Sequence, residues 1–445
     1  MTDQSKTPDS ARDGRERPAS GGDFGFATLA VHAGNRPEPH TGARITPIYQ
    51  TSSFVFDSVD HAASLFNLQT FGNIYSRLGN PSVSALEERV AALEGGRGAT
   101  ACASGHAAQF LALTSLMETG DDLVASRFLY GGSFTQFSQS FKRFGWGCTF
   151  VDARDPDQVA AAIGPRTKAV FVESQSNPSG VLTDIAALAD VAHAHGLPLI
   201  VDNTIPSPYL CRPFDLGADL ITHSLTKFLG GHGNSLGGAI VESGRFDWKT
   251  SGKFPSLSEP NPGYHGLRFD ETFGDFAFTV HAHAVALRDF GPTLSPFNAF
   301  MIMTGIETLP LRMERHVANA KLVAAWLHDH PKVAWVSYAG LPSSPQYDLG
   351  LRQMPRGVAP VFTFGLTGGY DAGIRLVEGV ELFSHLANVG DTRSLILHPA
   401  STTHRQMSPE DRAQSGAGDD VVRISIGIEA VEDLIADLDQ ALTRC

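Results

Sequence analysis

KAVFVE (168–173), PLIVDNT (198–204) and DLITHSLTKFLGGHG (219–233) decide the fold. Each holds a near-continuous apolar run of strand length and turns polar or glycine-rich at its carboxyl end, as expected of a strand covered on both faces. The same rhythm continues outward, through ATACAS (99–104), DLVAS (122–126) and CTFVD (148–152) on one side and GGAIVE (237–242) on the other. Between these runs apolar residues fall at helical spacing, at Phe134, Phe137, Phe141 and Phe144 and again at Ile185, Leu188, Ala189 and Ala192. Alternating strands and helices predict an α/β domain around a doubly wound, mostly parallel seven-stranded sheet. In such a sheet the ligand lies at the carboxyl ends of the strands.

After about residue 295 the pattern changes. A long helical region from Phe297 to Asp329 is followed by WVSYAG, PVFTFGL, VRISIG and a closing amphipathic stretch, VEDLIADLDQAL, which predicts a smaller α+β carboxyl-terminal domain. The segment 243–295 carries aromatics, Gly and Pro without a period and predicts a long surface excursion. Residues 1–22 have no apolar period and read as a disordered tail.

Composition excludes several function classes. The 445 residues carry 34 Lys plus Arg against 47 Asp plus Glu, a formal charge of −13 with no basic run, so nucleic acid is not an expected partner. No stretch approaches the ~18 apolar residues of a spanning helix, and the first twenty residues lack an apolar secretory core, which predicts a cytoplasmic protein without membrane contact. Cys102, Cys148, Cys211 and Cys445 are scattered without a CxxC pair, so they are expected as buried thiols rather than disulfides or zinc ligands. His193/His195 and His281/His283 fall at i,i+2 on helical stretches, where rings point to different faces, and no metal site is expected.

Three strand-end features could carry chemistry. Ser104-Gly105-His106 ends one strand and opens a helix, so Ser104 either merely caps it or leaves free N–H groups for an anion such as phosphate. Asp202 ends a buried run, where a carboxylate is either a turn cap or the partner of a cationic group such as a pyridinium nitrogen. Ser224, Thr226 and Lys227 follow the next run in a glycine-rich setting. Alone, Lys227 would read as a solvated charge; in a confined site it could form a Schiff base with an aldehyde whose phosphate the hydroxyls anchor.

Together these residues resemble a known family. From about Phe26 to Leu442 the chain is similar to the fold type I pyridoxal-phosphate (PLP) enzymes of cysteine and methionine metabolism, most closely the O-acetylhomoserine sulfhydrylases. The resemblance is carried by ATLAVHAG, TPIYQTSSFVF, YSRLGNPS, ASGHAA, YGGS, ESQSNP, VDNT, HSLTKFLGGHG, LSPFNAF, GIETLPLRMERH, NVGDTRSLILHPASTTH and VRISIGIE. It implies a division into the tail (1–22), an arm contacting a neighbouring subunit (23–85), a large PLP-binding domain (86–295) and a carboxyl-terminal domain (296–445). It implies PLP held by Lys227, with Asp202 on the pyridine nitrogen and phosphate contacts from Gly105, His106, Ser224 and Thr226. Tyr75 and Arg77 would reach the phosphate from a neighbouring subunit, making the protein an obligate homo-oligomer, a tetramer in the family's common form. Tyr130 would stack on the ring, Asn177 would lie near its hydroxyl, and Arg423, assisted by Ser394, would grip the substrate carboxylate.

The implied reaction is γ-replacement. Lys227, freed by the substrate, removes the Cα proton, a second deprotonation at Cβ expels acetate from O-acetyl-L-homoserine, and sulfide or methanethiol adds to give homocysteine or methionine. Tyr130 and Tyr75 would assist proton transfer. His106, Leu225, Asn234 and Arg393 depart from the family pattern, which bears on the precise substrate more than on the cofactor. Cystathionine γ-synthase and a cystathionine or methionine γ-lyase are the alternative activities. Gly233-Asn234-Ser235-Leu236-Gly237, with Asp391 and His404 downstream, matches a hydrolase elbow in letters, but the elbow needs a strand before its Ser and a helix after it, and here the strand-like run follows. A fold kept only for binding would not need Lys227, Asp202, Arg77 and Arg423 together.

Overall fold

The structure, a computed structural model, describes residues 24–403, 405, 412 and 416–445. The tail 1–22 and His404 therefore lie outside the described residues.

All seven apolar runs are strands of one sheet: β1 (Gly98–Cys102), β2 (Asp122–Ser126), β3 (Gly147–Val151), β4 (Thr167–Glu173), β5 (Leu199–Asp202), β6 (Leu220–Ser224) and β7 (Gly238–Glu242). They lie in the order β1-β7-β6-β5-β4-β2-β3. β6, β5, β4, β2 and β3 run parallel, and β7 alone is antiparallel, to both β6 and β1. Residues alternate between the two faces. Val170, Val172, Val201 and Ile221 enter one core, while Ala169, Phe171, Ile200 and Leu220 enter the other. That double burial is why the runs are apolar throughout. β3, at the edge, is partly exposed.

The helix Pro81–Glu94 covers β1, and its ends obey local rules. Asn80 caps it, its side chain accepting from Ser82 N at 3.0 Å, Pro follows the cap, and Gly95 ends it at φ 71°. It runs unbroken through positions 85 and 86, so the boundary expected between arm and large domain falls inside a helix.

The carboxyl-terminal half builds a second sheet from β8 (Val333–Ser337), β9 (Val361–Leu366), β10 (Ser384–His385), β11 (Leu395–Leu397) and β12 (Val421–Ser425), ordered β10-β11-β12-β9-β8. The closing helix is Val431–Leu442. The region expected as one long helical stretch is two helices, Pro296–Glu307 and Leu309–Asp329, because Pro310 has no N–H to carry the ladder across Thr308. Gly305 lets the first approach the loop after β6, since a Cβ there would stand 2.0 Å from Gly230 O.

Residues 243–295 are not a surface excursion. Short helices bury Trp248, Phe254, Phe269 and Phe278 on one face of the large sheet, with Trp248 and Phe254 edge to face at 5.2 Å. The pieces before residue 277 are only three to five residues long, too short to show a period, and the helical run from 277 to 290 that follows is interrupted by a π-turn over Ala282–Leu287. The Phe134–Phe144 stretch is helical but irregular, an α-turn passing through a π-turn to a 3-10 turn. The four cysteines are free thiols; Cys102 and Cys211 are buried, whereas Cys148 and Cys445 are only half-buried. Among the described residues no helix is long and apolar enough to cross a membrane.

Candidate active site

β4, β5 and β6 end side by side on Glu173, Asp202 and Ser224, with Glu173 in register with Asp202 and Asp202 with Thr222. Asp202 is buried, yet its carboxylate is not left bare. Oδ1 accepts from Thr204 N at 3.0 Å, and Oδ2 accepts from Thr222 Oγ1 and from Gln109 Nε2, both at 3.2 Å. These donors hold the carboxylate in one orientation at the strand end.

Facing it is the start of the helix Gly105–Thr114. Ser104 is its cap, the hydroxyl accepting from Ala107 N at 3.2 Å. Glycine is required next, because a Cβ at Gly105 would stand 2.8 Å from Ser224 Cβ. The helix start and the β6 end therefore meet directly at Ser224. Ser224 N donates to Thr204 Oγ1 at 2.8 Å. Thr226 exchanges hydrogen bonds with the backbone of Gly237, at 3.1 and 3.3 Å, tying the turn to the loop before β7. Tyr130 caps a short helical turn, with its ring 5.7 Å from that of His106 and tilted by 33°.

Lys227 follows β6 in a tight turn. Its ammonium donates to Asn388 Oδ1, and burial, with Arg423 as a second cause, pulls its pKa down to about 8. Arg423, in β12, donates from one terminal nitrogen to Asn177 Oδ1 at 3.2 Å and from the other to Asn388 O at 3.0 Å. Its Nε is buried without a partner among the described residues, and burial lowers its pKa to about 10. Four distant stretches of chain thus deliver Lys227, Arg423, Asn177 and Asn388 to one place.

Not every expected residue joins them. Ser394 is fully buried, and its hydroxyl donates to Glu429 Oε2 at 3.0 Å and accepts from Gly427 N at 2.8 Å, a network separate from that of Arg423. Asn388 takes the place beside Arg423 instead. Tyr75 and Arg77 lie on the arm, with Arg77 5.6 Å from the Tyr75 ring and donating to Arg288 O, while Tyr75 is 42% exposed. Within the chain neither pairs with Lys227, Asp202 or Ser224.

Three residues escaped the sequence reading. Asn388 bridges Lys227 and Arg423, Gln109 holds Asp202, and Glu173 accepts from Tyr130 N at 2.7 Å and from Asn177 N at 3.1 Å. Gln109 had a signal available, lying one helical turn beyond His106. The elbow Ser235 sits in a loop that leads into β7, with no helix after it, and hydrogen-bonds Asn234 at 3.3 Å, so the strand-Ser-helix context of a hydrolase is missing.

The sequence profile of the family described as Cys/Met metabolism PLP-dependent enzyme matches residues 27–443. The chain belongs to this family. It is 52% identical to O-acetyl-L-homoserine sulfhydrylase 1 of Thermus thermophilus over 94% of its length and 99% of that protein. It is 48% identical to homocysteine synthase of Schizosaccharomyces pombe over 94% of its length and 98% of that protein. Among solved structures, a Campylobacter jejuni chain assigned as an O-acetylhomoserine (thiol)-lyase, crystallised with N'-pyridoxyl-lysine-5'-monophosphate, superposes with a TM-score of 0.90. That chain is 38% identical and is covered completely by 94% of this one.

The site's own residues fit PLP. A buried amine with a lowered pKa, a fixed carboxylate at a strand end, and a helix start that meets Ser224 are the set that an aldehyde, a pyridine nitrogen and a phosphate require. The buried, unpartnered His106 Nε2 and Arg423 Nε mark hydrogen-bonding capacity still open there.

Proposed function

We infer that the protein is a PLP-dependent O-acetylhomoserine sulfhydrylase, a C–S bond-forming transferase that converts O-acetyl-L-homoserine and sulfide to L-homocysteine and acetate. The curated relatives named for these activities over nearly the full chain support it. The observation in the fold that carries it is the sharing of Asn388 by Lys227 and Arg423. A lysine able to hold an aldehyde stands next to a cation able to hold an α-carboxylate, the pair that an amino-acid substrate requires.

Bound PLP supplies an electron sink that makes protons at Cα and Cβ acidic. The side chains do the rest. Arg423 binds the substrate carboxylate by its guanidinium fork, and Asn177 and Asn388 keep that fork oriented. The Lys227 amine moves the Cα proton. With a pKa near 8 it is partly neutral at physiological pH, as a base must be, and Asn388 Oδ1 keeps it in place when it is free. Asp202 would meet the pyridine nitrogen, and Gly105, His106, Ser224 and Thr226 would hold the phosphate. Tyr130 would cover the ring and assist proton transfer.

In this reading Tyr75 and Arg77 complete the phosphate site of a neighbouring subunit. Their position on the arm supports it, as do the exposed apolar side chains Val55, Val59 and Phe71 of the same segment, which are 96%, 84% and 72% exposed in a single chain. The functional unit is then a dimer, two of which form a tetramer in the cytoplasm. Methanethiol as the sulfur donor would give methionine directly.

The test is product analysis on purified holoenzyme supplied with O-acetyl-L-homoserine and sulfide, methanethiol or cysteine. Homocysteine and acetate formed in equal amounts are expected. Cystathionine as the main product would assign the protein as a γ-synthase instead, and 2-oxobutyrate from methionine or cystathionine without added nucleophile would make it a γ-lyase.

A further inference from the structure

Glu173 is a buried carboxylate that none of the roles above uses. It ends β4 opposite Asp202 and is 5% exposed. Among the described residues its hydrogen bonds come from the main chain alone, Oε1 accepting from Tyr130 N and Oε2 from Asn177 N, with no cation paired to it. Burial and the neighbouring Asp202 push its pKa well up, and the two amide donors oppose them. A carboxylate so placed is costly unless each oxygen is engaged.

The two donors are informative. One belongs to the residue whose ring stands against His106, the other to the residue whose side-chain oxygen receives Arg423. The turn after Tyr130 is tied a second time, because Gln109 Nε2 donates both to Ser133 Oγ at 3.0 Å and to Asp202 Oδ2. A continuous chain of hydrogen bonds therefore runs from Asp202 through Gln109 and Ser133 to the Tyr130 turn, and from Tyr130 N through Glu173 to Asn177 and Arg423. Gly132 keeps this turn tight, since a Cβ there would stand 2.5 Å from the Tyr130 ring.

We propose that Glu173 is a positioning residue whose two oxygens set the Tyr130 turn and Asn177 in one register, so that the face of the cofactor ring and the arginine for the substrate carboxylate are fixed by the same group. The proposal rests on the reading that PLP lies at Lys227 with Tyr130 over it. A neutral amide of the same shape has one acceptor oxygen and leaves one of the two N–H groups unpaired, while the shorter aspartate keeps both oxygens and loses reach.

Glu173→Gln and Glu173→Asp are compared with the wild type by four measurements: PLP affinity, from titration of apoenzyme followed by visible absorbance; visible circular dichroism of the bound cofactor; kcat and KM for O-acetyl-L-homoserine taken separately; and apoenzyme melting. Expected for Glu173→Gln are a roughly tenfold or greater loss of PLP affinity, an altered visible dichroism, and a KM raised tenfold or more through Asn177 and Arg423. Glu173→Asp should recover part of each. Wild-type affinity, dichroism and KM in Glu173→Gln would overturn the proposal, as would a lowered melting temperature with those three unchanged. If Glu173→Gln gives no folded protein, Glu173→Asp carries the test, and wild-type behaviour in it overturns the proposal. Wild-type holoenzyme that binds PLP but leaves O-acetyl-L-homoserine untouched would refute the assigned reaction while affinity and dichroism still decide the role of Glu173.

Discussion

Replacing Lys227 by methionine should stabilise the apoenzyme at neutral pH, although the proposed mechanism makes activity depend on this lysine. The folded chain holds the amine at a pKa of about 8 against an ordinary 10.5, chiefly because it is buried and secondly because Arg423 repels it. A depression of about 2.5 units at 1.36 kcal/mol each is roughly 3 kcal/mol of penalty for keeping the ammonium in the folded state. The sign follows from proton counts. Between pH 8 and 10.5 the unfolded chain binds more protons than the folded one, so wild-type stability rises with pH through that window, and the penalty is fully present only below it. Methionine has nearly the same length and no charge. Release of that penalty favours Lys227→Met apoenzyme by about 3 kcal/mol at pH 7, narrowing to about 1 kcal/mol at pH 10. The lost hydrogen bond to Asn388 offsets about 1 kcal/mol at either pH, so the variant should exceed the wild type by about 2 kcal/mol at pH 7 and roughly match it at pH 10. Paired urea unfolding curves of the two apoproteins at both pH values measure it. A variant less stable than wild type at pH 7, or a difference that does not shrink at pH 10, would refute a strained, charge-destabilised lysine.

Other consequences are more local. Gly105→Ala would place a Cβ 2.8 Å from Ser224 Cβ, so PLP affinity should fall at least about tenfold by apoenzyme titration and the apo fold should melt below the wild type. Arg423→Lys keeps the positive charge but loses the fork, so KM for O-acetyl-L-homoserine should rise on the order of 100-fold with the cofactor spectrum retained. Leu225→Ala removes a fully buried side chain packed in the core with Leu294 and Ile302, so stability should drop by about 2–5 kcal/mol in denaturant titration, with kcat little changed.

The large sheet was legible because strands buried on both faces must be apolar throughout, and a run such as KAVFVE carries that requirement in its letters. β10 and β11 were not, being two and three residues long. Trp248, Phe254 and Phe269 misled for the same reason: they are core residues carried on helical fragments shorter than two turns, where no period can appear. Leu225, which departs from the family pattern, has a structural account as core filling beneath the Lys227 turn. Within the site, residues inside compact motifs could be read together, since Ser224, Thr226 and Lys227 are neighbours in sequence. Asn388 could not, because what brings it to Lys227 is the packing of the carboxyl-terminal sheet against the large domain. Ser394, six residues away, drew attention in its place, while its hydroxyl is occupied by Glu429 and Gly427. Glu173 stood in a recognisable segment, but its role depends on which main-chain N–H groups arrive at its two oxygens, and a sequence does not display that.

The central claim is that Lys227 carries PLP. It is tested most directly by reducing the purified holoenzyme with borohydride and mapping the modified residue by mass spectrometry. The account predicts a visible absorption band that disappears on reduction, and a single pyridoxyl label on Lys227 within the segment HSLTKFLGGHG. A colourless protein that takes up no PLP, or a label on another lysine with Lys227 unmodified, would contradict it.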